Sequence, residues 1–599
     1  MFQGFDAATA PSDGPPRLAR LRTALNQSGL DGFLVPRTDA HQGEYVAPSD
    51  ERLSWLTGFT GSAGFCAVLP HIAAVFIDGR YTVQVRSQID TAHFTPVPWP
   101  ATQLGAWLVE NMPNGGFVGF DPWLHTRSEI QKLTDATQAA NITLSPFANM
   151  IDAIWDDRPA PPKGQITVHP LEFAGEPHDQ KISRLANNLT RGDTDHAVIT
   201  LPENIAWLLN IRGSDIVRNP VPHVFAVLNA DATVDLFVDP DKLTDKVLQH
   251  LGTKVHTHPI GAFAPLLKSL DGTVLMDEGS APFALIAPLS NATLIWGRDP
   301  CVFAKARKNP AELSGMRAAH LRDAVAMVKF LCWLDREAPK GTLTEIDAVT
   351  ALEGFRRANT KLRDISFETI AGSGPNGAIV HYRVNTDTNR TVTPGELLLV
   401  DSGGQYLDGT TDITRTVATG PVGALEKRCF TKVLQGMIAV SRARWPEGLA
   451  GRDLDALARF ALWTAGMDYD HGTGHGVGAY LSVHEGPQGL SRRSVVPLEP
   501  GMVVSNEPGY YREGAFGIRI ENLVAVEHAP PLPDQDIRSM LSFETLTFVP
   551  IDLRLVDNDL LSGEERVWLN TYHTQVRDQL LPALGPDEQA WLQAATVAL

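Results

Sequence analysis

Apolar positions recur every three or four residues in RLARLRTALNQSGL, where Leu18, Leu21 and Leu25 fall on one side, so an amphipathic helix opens the segment from Pro16 to about Asp157. Short apolar runs follow in DGFLVPRTD, AAVFIDGRY and GFVGFDP. Each is ended by Gly, Asp or Pro and alternates with helical stretches, the pattern of an α/β layer. A Pro- and Gly-rich loop, RPAPPKGQ, begins at Arg158 and marks a boundary. Beyond it the same order returns: a helix in KISRLANNL, a strand in DHAVITLPE, and a Trp-led IAWLLNIRGSD that echoes LSWLTGFTGSA. This predicts a duplicated module; the alternative is that any two α/β domains share a helix, a strand and a loop. The texture changes near Lys305. There KNPAELSGMRAAHLRDAVAMVKFLCWLD reads as one long helix with Asn309 or Pro310 at its start. Further helices then alternate with short strands and Gly pairs, an α+β pattern. The expected organisation is two α/β domains, 1–157 and 158–304, and a third domain, 305–599, ending in an extension from about 540.

Composition narrows the class. Across 599 residues, 43% hydrophobic, 20% charged and 8% aromatic content is ordinary for globular chains and excludes a disordered or fibrous one. The net charge of −18 argues against a surface that coats nucleic acid. Cys66, Cys301, Cys332 and Cys429 lie far apart, without the close pairs of thiolate metal sites, which suits a reducing compartment. The start, MFQGFDAATAPSDGPP, lacks a basic stretch followed by an apolar run. The longest apolar stretch, around Ala67 to Ile77, contains Pro70 and His71 and falls short of the about 18 residues of a membrane helix. A cytoplasmic protein with no membrane or nucleic-acid partner is expected.

Three stretches carry chemistry. In GELLLVDSGGQYLDGTTDITRTV an apolar strand is expected to end at Asp401, a Gly turn follows, and a second strand carries Asp412. Solvated turn aspartates would look alike, except that a carboxylate ending a buried strand needs a partner or a metal. In YDHGTGHGVGAYLSVHEGPQG, His471, His475 and His484 stand among glycines, which suits metal ligation or proton transfer as well as a structural loop. In GMVVSNEPGYYREGAFGIRIENLVAV, Glu507 follows an apolar strand and Glu521 sits in another, where alternation places it on the face of Arg519 and Leu523. Arg519 alone would make it a plain ion pair. Taken together, two Asp, one His and two Glu form a five-donor set suited to two divalent ions. Oxygen-rich ligation favours Mn²⁺, with Zn²⁺, Co²⁺ and Fe²⁺ as alternatives. Such a pair activates a bridging water for hydrolysis.

DSGG, TTDITRT, HGTGHGVG, VHEGP, SNEPGYY and GIRIENL together resemble the pita-bread metallopeptidases, and within them aminopeptidase P of the long three-domain cytosolic type, whose first module LSWLTGFTGSAG and FIDGRY also resemble. The resemblance implies two creatinase-like α/β domains before a pita-bread catalytic domain. It implies metal ligation by Asp401, Asp412, His475, Glu507 and Glu521, with Asp412 and Glu521 bridging and Glu507 as general base. His381, in GPNGAIVHYR, and His484 resemble histidines that contact the scissile region. His471 resembles a further active-site histidine, and Arg519 a partner of the metal carboxylates. Asn506 stands where relatives often carry an acidic residue, and Ser482 also departs from the pattern. The implied activity is release of the residue before a penultimate proline by a homodimer. The alternatives are a prolidase, a non-enzymatic peptide-binding relative and a metal-free creatinase-like amidinohydrolase; the full ligand set disfavours the last two.

Overall fold

The computed structural model describes residues 1–7 and 9–599. The chain divides into two compact units, one of residues 8–305, the other of residues 306–599 together with 1–7. The first seven residues, counted above with the first module, thus group with the third part of the chain. Within that unit the Phe2 and Gln3 amides donate to Glu353, and Gln3 Oε1 accepts from Thr369 N at 2.8 Å.

The first unit contains two six-stranded sheets built on one plan. In one, β1 (Gly32–Pro36), β2 (Phe65–Val68), β3 (Ala73–Ile77), β4 (Thr95–Pro98), β5 (Gly116–Phe120) and β6 (Ile142–Pro146) lie in the order β4-β3-β2-β1-β5-β6. In the other, β7 (His196–Ile199), β8 (Phe225–Asn229), β9 (Val234–Phe237), β10 (Val255–His258), β11 (Thr273–Met276) and β12 (Thr293–Trp296) lie in the order β10-β9-β8-β7-β11-β12. The senses match as well: β1/β2 and β2/β3 are antiparallel and the other three pairings parallel, as are their counterparts six numbers on. A shared order and sense in every pairing is what duplication requires, and a common helix-strand-loop theme alone would not produce it. The helix Gly14–Ser28 buries Leu18, Leu21 and Leu25, the side its spacing predicts.

The second unit opens on the helix Pro310–Glu337. Asn309 caps it, accepting from the amides of Ala311 and Glu312, while Pro310 occupies the first turn, where a missing N–H costs nothing. Strands Ile370–Ser373, Leu397–Ser402 and Ile413–Ala418 form an antiparallel sheet with Asp401 opposite Thr414. A six-stranded antiparallel sheet contributes Gly474–Gly476, Val503–Asn506 and Asn522–His528 to the same region. Helices Ala424–Ser441 and Gly563–Leu580 share the large core beneath, through residues such as Val433, Leu434, Leu569 and Val576.

His573, on the second of these helices, is fully buried and accepts at Nε2 from Ile551 N, 3.1 Å away. Burial, then the Arg415 and Arg577 charges, push its pKa down to about 3. The unfolded chain therefore binds a proton below about pH 6.5 that the fold refuses, so stability falls as pH drops from there towards 3. His573→Gln is expected to flatten this dependence by up to about 1.4 kcal/mol per pH unit. Denaturant unfolding at pH 7 and pH 5 measures it, and equal losses in both proteins would remove His573 from the explanation.

Candidate metal centre

Five segments converge. Asp401 lies inside its strand, which runs one residue further than expected, to Ser402. Asp412 precedes its strand, which begins at Ile413, instead of lying within it. His475 is the middle of the short strand Gly474–Gly476. The flanking glycines are required by close approach: a Cβ on Gly474 would sit 1.9 Å from the Ser505 carbonyl, and one on Gly476 2.1 Å from that of Glu485. Glu507 follows the strand Val503–Asn506, as its apolar run indicates.

Glu521 corrects the sequence reading. It lies between the strands Phe516–Arg519 and Asn522–His528, not within one, because the chain changes partner there: the former pairs with Gly509–Arg512 and the latter with Val503–Asn506. Alternation across the break does not hold, and Arg519 does not pair with Glu521. Arg519 donates instead to Asp401 Oδ2 at 2.6 Å and to the Tyr511 hydroxyl at 2.5 Å. Glu521 Oε2 accepts from the Thr414 hydroxyl at 2.8 Å, and the Thr414 oxygen accepts from Arg519 Nε at 3.1 Å.

One oxygen or nitrogen each from Asp412, His475 and Glu521 gather within 4.8 Å of one another, the spacing of ligands around an ion. His475 Nδ1 faces the Gly476 carbonyl at 3.0 Å, which orients Nε2 towards Glu507 Oε1 at 3.3 Å and Asp412 Oδ2 at 3.5 Å. Ser505 donates to Glu507 Oε1 at 3.1 Å and accepts from the His475 amide at 2.9 Å. The His484 ring stands 4.2 Å from that of His475. His471 contacts the Gly472 carbonyl through Nδ1 at 2.8 Å and the Tyr511 hydroxyl through Nε2 at 2.9 Å. His381 lies half-buried in the loop after the turn Gly374–Ala378, whose Val380 carbonyl accepts from Arg519 at 3.4 Å.

The electrostatics ask for cations. Burial, followed by the charge of Glu521 and its neighbours, pushes Asp412 far above the carboxylate range, and burial and Glu507 do the same to Glu521. Burial raises Glu507 too, but the hydrogen bond and charge of His475, then His471 and Arg519, outweigh it and hold it at about 2. Buried Asp401 Oδ1 and Glu521 Oε1 have no hydrogen-bond donor. Three buried carboxylates, a fourth half-buried at Glu507, an oriented imidazole and two orphaned oxygens fit divalent ions. A second group, Asp39, Asp50 and His223, also gathers within 4.8 Å, but Arg52 and Arg158 already attend Asp50, at 2.8 and 3.6 Å.

Thr414, Ser505 and Tyr511 were not singled out by the sequence. The signal for the first two was nearness: each lies two positions from an expected ligand, Asp412 and Glu507 respectively, on the strand that ligand adjoins.

Family models match residues 314–528 as metallopeptidase family M24, 17–154 and 157–312 as creatinase/prolidase N-terminal domains, and 539–599 as the C-terminal region of peptidase M24. Aminopeptidase P2 of Arabidopsis thaliana is 40% identical over 96% of this chain and 87% of its own. A "probable Xaa-Pro aminopeptidase P" of Coccidioides posadasii (strain C735) is 40% identical over 99% of this chain and 94% of its own. The chain belongs to the aminopeptidase P family of M24 metallopeptidases. The crystal structure of an X-prolyl aminopeptidase from Caenorhabditis elegans, described as a cytosolic enzyme with a di-nuclear active site, superposes with a TM-score of 0.93 at 34% identity, covering 98% of this chain and 99% of that one. The aminopeptidase P fold, two creatinase-type modules before the M24 domain, is thus the fold expected from the motifs. An Xaa-Pro dipeptidase from Bacillus anthracis, 23% identical and covering 63% of this chain, shares the fold alone. Among the described residues no helix is long and apolar enough to cross a membrane.

Proposed function

We propose that this aminopeptidase P family member releases the N-terminal residue of peptides with proline in second position, using two divalent ions, most suitably Mn²⁺, held by Asp401, Asp412, His475, Glu507 and Glu521. The observation that carries this is the gathering of Asp412, His475 and Glu521 within 4.8 Å, with Glu507 3.3 Å from His475 and with Asp401 Oδ1 and Glu521 Oε1 buried and unsatisfied. By resemblance to the family pattern, Asp412 and Glu521 would be shared between the ions. When bound, such ions lower the pKa of a water and polarise the scissile carbonyl.

The chain's own groups do the remainder. Glu507, ionised and fixed by Ser505, accepts the proton of the attacking water. His484 and His381 are assigned to the peptide, donating to the oxygen on which negative charge develops. Both ring nitrogens of His471 are engaged, and burial lowers its pKa to about 4, so it is neutral at pH 7. We therefore assign it to holding Tyr511, which in turn receives Arg519, instead of to direct contact with the peptide. Arg519 fixes Asp401 and, through Thr414, Glu521. Family membership carries the further expectation of a cytoplasmic homodimer.

A prolidase would share this centre, but two modules precede the catalytic domain and the di-nuclear X-prolyl aminopeptidase matches end to end. The Mn²⁺-loaded protein is expected to release Arg from Arg-Pro-Pro with kcat/KM at least about tenfold above that for Ala-Pro. Cleavage of the dipeptide alone would establish a prolidase instead.

A further inference from the structure

The Arg415 guanidinium is fully buried beside the proposed metal centre and has no carboxylate in hydrogen-bond contact. Its acceptors fall into two groups. On the site's side it donates through Nη1 to the Glu521 carbonyl at 2.6 Å and the Thr414 carbonyl at 2.9 Å, and through Nη2 to Asn522 Oδ1 at 2.8 Å. On the side of the C-terminal segment it donates through Nε to the Pro550 carbonyl at 3.1 Å, and through Nη2 to the Val549 carbonyl at 2.8 Å and the Tyr572 hydroxyl at 3.0 Å. All three nitrogens of the fork are used, with six acceptors shared among their five N–H groups, and every acceptor is neutral.

A buried guanidinium hydrogen-bonded only to neutral acceptors is costly even with the Glu521 charge nearby, and an apolar side chain would fill a purely structural position at lower cost. What only the planar fork supplies is simultaneous, directional fixing of several backbone groups. Its acceptors include the backbone carbonyl of Glu521 and the side-chain Oδ1 of Asn522, where the chain switches strand partners and is held by no continuous ladder. Thr414, whose hydroxyl binds the Glu521 carboxylate, is held by the same fork through its carbonyl.

We propose that Arg415 is a positioning residue for Glu521 and that residues 549–572 form part of the scaffold of the metal centre, because they supply the far half of this clamp. The inference deepens the two-ion reading and rests on it. Arg415→Lys keeps the charge and loses the fork; Tyr572→Phe keeps the ring and loses one acceptor. Trp591→Phe, which removes the 2.8 Å bond from Trp591 Nε1 to Asp335, loosens instead the later helix Pro586–Ala595, outside residues 549–572 and with no bond to Arg415.

Full-length apoproteins are titrated with Mn²⁺ by calorimetry, with their melting recorded in parallel. Wild type is expected to bind two ions. Arg415→Lys should lose about tenfold or more in affinity for at least one ion, the effect typical of groups that orient metal ligands. Tyr572→Phe should lose less in the same direction, and Trp591→Phe should match wild type whatever its melting temperature. Lower melting with unchanged Mn²⁺ affinity in Arg415→Lys would overturn the proposal, leaving Arg415 a structural residue. If Arg415→Lys does not fold, unchanged affinity in Tyr572→Phe overturns it. Absence of Mn²⁺ binding by wild type would overturn the two-ion reading itself, a result distinct from the failure of this inference alone.

Discussion

Asp412→Ala is expected to cost at least about 10³-fold in kcat/KM on a proline-penultimate tripeptide, equivalent to about 4 kcal/mol of transition-state stabilisation, because a donor shared between two ions serves both the nucleophile and the polarised carbonyl. The same substitution is expected to leave the metal-free fold at least as stable as wild type. Asp412 is buried against Glu521, Asp401 and Glu507, and burial together with their charges drives it far above its ordinary pKa. The metal-free protein gains nothing from keeping such a group, so its removal relieves a strained cluster while destroying function, the usual trade between stability and activity at a site. Initial rates with saturating Mn²⁺, and melting of the metal-free proteins, measure the two effects. A rate within tenfold of wild type would take Asp412 out of the reaction.

The largest effect on stability is expected at Asp323. Arg356 reaches it through Nε and Nη2, both at 2.9 Å, and the Tyr406 hydroxyl donates to it at 2.7 Å. All three side chains are buried, and Asp323 lies on the helix Pro310–Glu337, so the group pins that helix to the strand Gly404–Tyr406 and to the helix Glu345–Ala358 that carries Arg356. Asp323→Ala leaves a guanidinium buried without its countercharge and should cost about 3–5 kcal/mol. Arg356→Met added to it should restore part of that loss, since removing both charges costs less than stranding one. Denaturant unfolding of the two single variants and the double variant tests this. Single-variant losses below about 1 kcal/mol would show that the pair does not hold the helix.

How much of this was legible in the sequence depended on whether the deciding interactions were local. Leu18, Leu21 and Leu25 declare a buried helix face by spacing alone, and Asn309 followed by Pro310 marks a helix start through backbone N–H groups within one turn. The doubled module was legible for a related reason: each copy repeats its own local pattern, and matching strand orders follow from matching patterns. Glu507 could be placed because the apolar run before it stops where its strand stops.

Asp412 and Glu521 were recognised as donors but misplaced in their strands. Period-two reasoning assumes an unbroken ladder, and both residues sit where the chain leaves one strand partner for another. The partner of Arg519 was equally hidden, since local alternation offers Glu521 while the fold delivers Asp401, 118 positions away. Arg415 lay unremarked inside TTDITRT because, apart from the adjacent Thr414 carbonyl, its acceptors come from segments more than a hundred residues further along the chain.

The central claim is that five side chains hold two ions that together hydrolyse an Xaa-Pro bond. The most direct test titrates metal-free protein with Mn²⁺ while bound ions and release of Arg from Arg-Pro-Pro are measured on the same samples. The account predicts two tightly bound ions per chain, with the rate continuing to rise until the second is taken up. Full activity at one ion per chain, or release of Arg that persists after both ions are chelated away, would contradict it.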